Sequence, residues 1–300
     1  MLQISESDVL RVLPMRPCVD QMRLAFDAIR AGTTLNQPRR RLILPTGSVL
    51  HQMAGSWGKY FCTKIYSSNL KHGGLHQMYV LLYDAETGKP IAQIEANEMS
   101  LIRTGAASGY AAELLADPNA DVVGLIGSGY QARAQVAAMR AVRPIREIRV
   151  WSRKTDKAAR FAEENGCRAV ASAEEAVRGA PIVVTATTAK DPVIEASWIA
   201  PGCFVAAMGS NSGARREIPT DLVKNAGLIA VDNLEQARIE AGDLLLAYGG
   251  TEGWSNVVEL QDVTPGYDPS RVTIFESLGI AVEDAAAAAF VYEAILKESK

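Results

Sequence analysis

Residues 121–138, DVVGLIGSGYQARAQVAA, decide how the rest of the chain is read. The apolar run Val122, Val123, Leu125, Ile126 stops at Gly127-Ser128-Gly129-Tyr130-Gln131-Ala132, and a helical pattern follows. Strand, glycine turn and helix in that order open a dinucleotide-binding βαβ unit. Gly127 permits the tight turn, Gly129 lets the backbone approach a pyrophosphate, and Ala132 lets the helix pack close to the strand. The helix N-terminus adds N–H groups and a partial positive charge for the phosphates. On its own a G-x-G-x-x-[GA] pattern is weak evidence, because glycine turns end many strands.

The next strand, residues 145–151 (IREIRVW), ends at Ser152-Arg153-Lys154. That is about 20 residues past the glycines, where such a unit meets the adenosine ribose. An NAD site usually carries Asp or Glu there. A hydroxyl and two cations suit a 2′-phosphate instead, and the planar fork of Arg153 can bind it through two bonds. The expected cofactor is NADP(H) in preference to NAD(H), although a solvated strand end would carry the same residues. Further strands at 168–171, 182–186, 203–208 and 228–231 alternate with short helices, which implies a mostly parallel, doubly wound sheet. Ligands of such sheets sit at the carboxyl ends of the strands. This nominates Thr185-Ala186-Thr187 and Met208-Gly209-Ser210 as cofactor-facing, though β-propensity alone accounts for the threonines equally well.

Upstream, residues 2–30 suit a short strand and two helices, 40–66 a set of strands, and 76–95 a hairpin turning at AETGK. Asn97–Leu115 is helical and rich in small residues; it connects this α+β region to the nucleotide unit. The alanine-rich helix 282–296 returns to the first region, its alanines serving as good helix formers. The expected architecture is α/β: a Rossmann-type doubly wound nucleotide-binding domain over 109–280, plus an α+β substrate and dimerisation domain built from 1–108 and 281–300.

With 300 residues, 48% hydrophobic and 22% charged, there is ample material for two cores. A net charge of -3 makes no electrostatic case for nucleic acid. No apolar run approaches the ~18 residues that span a bilayer, and the first ten residues lack a signal-peptide pattern. Four scattered cysteines without C-x-x-C suit reduced thiols in a cytoplasmic protein, and three histidines without ligand spacing make a metal site an unattractive reading.

No Ser/His/Asp set stands out. The polar groups of interest are Arg39, Arg40, Arg41, Lys64 and Arg103. Lys64 interrupts an apolar strand pattern, so it either snorkels to the surface or points into a cleft. Two guanidiniums and an ammonium converging on a nicotinamide would hold a carboxylate and supply a proton. Spacing alone favours the plainer reading of unrelated surface cations.

An ordered set of short motifs changes that balance. It comprises Pro38-Arg39-Arg40, the Lys64 strand, Arg103-Thr104-Gly105-Ala106-Ala107-Ser108, the glycine turn, Val184-Thr185-Ala186-Thr187, Met208-Gly209-Ser210, Arg238-Ile239-Glu240-Ala241-Gly242-Asp243 and Glu276-Ser277-Leu278-Gly279. Over nearly its full length the chain resembles the ornithine cyclodeaminase/mu-crystallin family. The resemblance implies that Arg40, two places after the proline, and Arg103 bind the substrate carboxylate, with Lys64 beside the reacting carbon. It implies nucleotide contacts at Thr104, Tyr130, Gln131, Thr185, Thr187, Met208 and Ser277, and a homodimer. Two departures narrow the function. Where ornithine cyclodeaminases carry a glutamate before a Met-Pro pair, this chain has His51 before Met53-Ala54. Where they carry an aspartate after the glycine matching Gly209, it has Ser210. Cyclisation needs an acid to orient and deprotonate the δ-amino group.

The reading that follows is an NAD(P)H-dependent imino-acid or ketimine reductase, acting on a small imino- or amino-acid carboxylate. Its cations are expected to face the reduced pyridine ring. The alternatives are an ornithine cyclodeaminase or alanine-type dehydrogenase, and a non-catalytic NADPH- and ligand-binding protein.

Overall fold

The computed structural model describes residues 1–69 and 71–298. Two compact units emerge, one of Met1–Arg103 with Gly279–Lys300 and one of Thr104–Leu278. The division falls inside a continuous helix, five residues before the expected 108/109 boundary. Residues 299 and 300, expected in the first domain, lie outside the described residues.

The first unit begins with β1 (Leu2–Ile4), α1 (Glu6–Val12) and α2 (Met15–Arg30). Ser5 and Asp8 cap α1 reciprocally, each side chain accepting from the other's backbone N–H. Along α2 the buried residues Cys18, Val19, Met22, Ala25 and Phe26 form one helical face. Then come β2 (Asn36–Ile43), β3 (Val49–Trp57), β4 (Tyr60–Asn69), β5 (Gly74–Leu75), β6 (Tyr79–Asp84), β7 (Pro90–Glu95) and α3 (Asn97–Leu115), which runs on into the second unit. The sheet order is β1-β7-β6-β4-β3-β2, with β5 against β4, and every pairing but β1–β7 is antiparallel.

Alternation along β4 buries Tyr60, Cys62, Lys64 and Tyr66 on one face. The closing helix of the chain, Ala281–Glu298, packs on that face. A Cβ on Gly55 would stand 2.7 Å from the carbonyl carbon of Ala281, so only glycine allows this approach. Ala285–Ala289 are all buried, so the alanines allow close packing all round the helix as well as favouring it.

The second unit contains β8 (Val122–Ile126), α4 (Tyr130–Val142), β9 (Glu147–Trp151), α5 (Thr155–Asn165), β10 (Arg168–Ala169), α6 (Ala173–Val177), β11 (Ile182–Thr185), β12 (Phe204–Ala207), α7 (Thr220–Asn225), β13 (Leu228–Val231), α8 (Leu234–Glu240), α9 (Gly242–Tyr248), β14 (Val257–Glu259) and β15 (Thr273–Glu276); the closing helix is α10. Its sheet runs β10-β9-β8-β11-β12-β15-β13-β14, parallel throughout. The five residues of β8 are all buried, as a strand covered on both faces requires. From β8 the chain moves outward to β9 and β10, then crosses back to β11, so the strand order reverses between β8 and β11. In doubly wound sheets that switch point is where ligands sit. Past the strand ends, Gly127 N donates to Trp151 O, Ala186 N to Ile126 O, Met208 N to Thr185 O and Ser277 N to Ala207 O. Four expected site segments thus share one carboxyl edge. The doubly wound α/β fold expected for this half is the one observed.

Among the described residues no helix is long and apolar enough to cross a membrane, and no His/Cys/Asp/Glu group is arranged to hold a metal ion.

Candidate active site

In the first unit the sheet and two helices bring a group of charges together out of water. Lys64 Nζ, 2% exposed as a residue, donates to Asp284 Oδ1 at 2.9 Å and lies 2.7 Å from Oδ2. Arg103, from α3, donates through Nε to Asp284 Oδ1 at 2.9 Å and through Nη1 to Glu283 Oε2 at 2.6 Å. Arg39, from β2, donates to Gly279 O at 3.3 Å. Gly279 has φ +75°, and a Cβ there would fall 2.5 Å from Arg103 Nη1, so glycine is needed on both counts. Glu283 and Asp284 are fully buried in the first turn of α10, where the helix dipole favours negative charge. Lys64 and Arg103 thus share the Asp284 carboxylate, with the Arg39 charge acting on Lys64, and guanidiniums so held suit a carboxylate ligand.

Burial lowers the pKa of Lys64, Arg103 lowers it further, and Asp284 opposes both, leaving it at about 8. An ammonium poised there is charged at neutral pH yet can release a proton near it.

Arg40 stands apart from this group. It is exposed and pairs with Gln52, which pairs with Ile65, whereas Lys64 pairs with Met53. Cross-strand partners share a face, so Arg40 points away from Lys64. The register shifts between Gln37 and Arg40, and this bulge changes which residue of the arginine run turns inward. Arg39 is buried instead and is among the charges acting on Lys64.

Further along the same face, Arg41 pairs with His51 and His51 with Tyr66. His51 stacks on Tyr66 with centroids 4.4 Å apart, and its Nε2 hydrogen-bonds Ser68 Oγ at 2.9 Å. Burial, then Arg41 and Arg39, push its pKa down to about 4, so the imidazole is neutral at pH 7. A neutral ring, with no carboxylate, occupies the position where the resemblance sets a cyclodeaminase's glutamate.

Glu283 and Asp284 escaped the sequence reading. The available signal was two adjacent acids within the otherwise apolar run AVEDAAAAAF. Buried acids in such a helix need cationic partners.

In the second unit the glycine turn is built for close approach. Gly127 has φ +112°, and a Cβ there would lie 2.3 Å from Ala186 O. Gly129 caps α4 with no side-chain hydrogen bond, and the space a Cβ would take is open to at least 4 Å. Gln131 Oε1 and Ser277 Oγ are buried without a partner, while Tyr130 is exposed with Arg133 over its ring. Arg153 and Lys154 are exposed after β9, and Ser152 Oγ accepts from Lys154 N. An uncapped helix start beside open backbone, with orphaned polar atoms on the same unit, fits a dinucleotide.

Other expected contacts have different duties. Thr185 is fully buried, and its hydroxyl donates to Glu217 Oε2 at 3.0 Å. The N–H groups of Thr187 and Gly209 also donate to Glu217. Ala186, Met208 and Thr104 are nearly buried.

The family model of the ornithine cyclodeaminase/mu-crystallin family matches residues 2–299. The ketimine reductase mu-crystallin of Mus musculus is 35% identical over 223 residues, 73% of this chain and 69% of its own. The solved structure of Thermococcus litoralis Δ1-pyrroline-2-carboxylate reductase in complex with NADH and L-proline superimposes with TM-score 0.93 at 27% identity, covering 100% of this chain and 98% of its own. An archaeal alanine dehydrogenase dimer with bound NAD gives TM-score 0.92 at 29% identity, covering 100% and 97%. The chain belongs to the ornithine cyclodeaminase/mu-crystallin family.

Proposed function

We propose that this protein is an NAD(P)H-dependent oxidoreductase that reduces 2-imino carboxylates. The observation that carries the proposal is the buried Lys64–Asp284–Arg103 group, with the Arg39 charge acting on it. Relatives named ketimine reductase, Δ1-pyrroline-2-carboxylate reductase and alanine dehydrogenase support it, since each name points to a carbon bearing nitrogen and the last two also to an adjacent carboxylate.

The nucleotide supplies hydride when bound. Gly127, Gly129, Tyr130, Gln131 and the Ser152–Lys154 segment hold its phosphate and adenosine parts, and Ser277 offers its hydroxyl to the carboxamide. Arg103 and Arg39 orient the substrate carboxylate. Lys64, as an ammonium, hydrogen-bonds the substrate and stabilises the electron pair that gathers on nitrogen as C2 gains hydride. That nitrogen takes up a proton from Lys64 or from water.

Loss of NADPH absorbance with a panel of Δ1-pyrroline-2-carboxylate, Δ1-piperideine-2-carboxylate, and pyruvate with methylamine or ammonia tests the reading. Turnover of at least one member is expected. No turnover of any, with tight NADPH binding, would establish a binding protein instead. Formation of proline from ornithine would establish a cyclodeaminase, which the neutral His51 and Ser210 disfavour.

NADP(H) preference and a homodimer belong to the same proposal. Arg153→Ala is expected to lower the NADPH-over-NADH preference by roughly tenfold, the loss of one charge-assisted bond pair. An unchanged ratio of kcat/KM values would remove Arg153 from the 2′-phosphate site. The dimer is supported by the archaeal alanine dehydrogenase, and a light-scattering mass of twice the chain checks it.

A further inference from the structure

We propose that Glu217 is the positioning residue of the nicotinamide half of the nucleotide site, a single carboxylate that locks the loops after β11 and β12 to each other. The proposal rests on the reading that the second unit holds a dinucleotide.

Glu217 is fully buried and follows a mostly half-buried loop in sequence. Its Oε1 accepts from Thr187 N at 2.6 Å, and its Oε2 accepts from Gly209 N at 2.7 Å and from Thr185 Oγ1 at 3.0 Å. One side chain thus satisfies donors from two loops that the chain separates by more than twenty residues. Gly209 shows how tight the junction is: a Cβ there would lie 2.2 Å from Thr187 O and 2.5 Å from Glu217 Oε1. Glu217 is itself held from behind. Asp243 Oδ1, at the start of α9, accepts the N–H groups of Glu217 and Ile218, both at 2.8 Å.

Strand order identifies which half of the ligand this clamp serves. The adenosine end belongs over β9 and the pyrophosphate over the β8 turn. Across the switch point the remaining half faces the ends of β11, β12 and β15, the first two of which Glu217 joins.

The clamp needs the carboxylate form, because protonation converts one of its two acceptors into a donor. Burial, then the nearby Asp243, raise its pKa to about 7 against the bonds from Thr187 and Gly209. The other charged groups here are Glu276 at the end of β15, Asp232 after β13, and Arg216, the cation acting on Asp243.

The test compares dissociation constants of NADPH and 2′-phospho-ADP-ribose, which lacks the nicotinamide, for the wild-type chain and Glu217→Gln. Taking their ratio cancels the titration of the shared 2′-phosphate. In the wild type the ratio is expected to move against NADPH by roughly tenfold as pH falls through about 7. In Glu217→Gln it is expected to be shifted by a similar factor at every pH, without the titration. Equal weakening of both ligands, or an unchanged ratio, would overturn the proposal. Should the variant not fold, the wild-type ratio alone decides, and a ratio independent of pH overturns it. Failure of the wild type to bind either ligand would refute the nucleotide reading itself, and this proposal with it.

Discussion

Lys64→Met is expected to lower kcat for imine reduction by about 10²–10⁴ while leaving NADPH binding intact. Methionine keeps the length and fills the buried strand position, so the change removes chiefly the ammonium. The wild-type ammonium is nearly inaccessible to water and fixed by Asp284, so no reorganisation is needed as charge develops on the substrate. The pH profile sharpens the test. With a pKa of about 8, Lys64 is charged below that value and loses its proton above it, so wild-type kcat is expected to decline on the alkaline side. In Lys64→Met that decline is expected to vanish along with most of the rate. A variant with full turnover and an unaltered profile would remove Lys64 from the reaction.

Asp284→Ala is expected to destabilise the folded chain by about 3–5 kcal/mol, the range found when one partner of a buried ion pair is deleted. Asp284 is fully buried and touches both Lys64 and Arg103, so its loss leaves cations without compensation. The sign of the pH dependence follows from Lys64. Its folded pKa is depressed below that of the unfolded chain, so between about 8 and 10.5 the unfolded state binds more protons and stability rises with pH. Without Asp284 the depression deepens. The destabilisation measured by urea unfolding should therefore be smaller at about pH 9 than at about pH 6. A loss independent of pH, or below about 1 kcal/mol, would mean that the pair is solvated.

These groups differ in how legible they were before the structure. The β8–α4 turn was plain, because its residue types answer backbone demands that are local: a positive φ at Gly127 and open space at Gly129. The alternation of strands and helices likewise carried the doubly wound sheet. The face of an arginine run was not local. A one-residue bulge opposite β3 reverses inside and outside, and no spacing rule places the bulge. The buried acids of α10 were hidden by the alanines around them, which satisfy a helix reading without asking what the charges meet. Glu217 was less visible still. Its partners are mainly backbone N–H groups, which every residue but proline possesses, so the clamp has no side-chain signature.

The reaction proposed here makes one demand on the atoms: a hydrogen from C4 of the nicotinamide must arrive on C2 of the substrate. Incubation with 4-deuterated NADPH and Δ1-pyrroline-2-carboxylate, followed by mass spectrometry of the proline formed, measures this directly. The account predicts one deuterium per product molecule, carried on C2, from the cofactor deuterated on the transferred face. Unlabelled proline from both face-labelled cofactors, or no amino-acid product from this or any other 2-imino carboxylate, would contradict it.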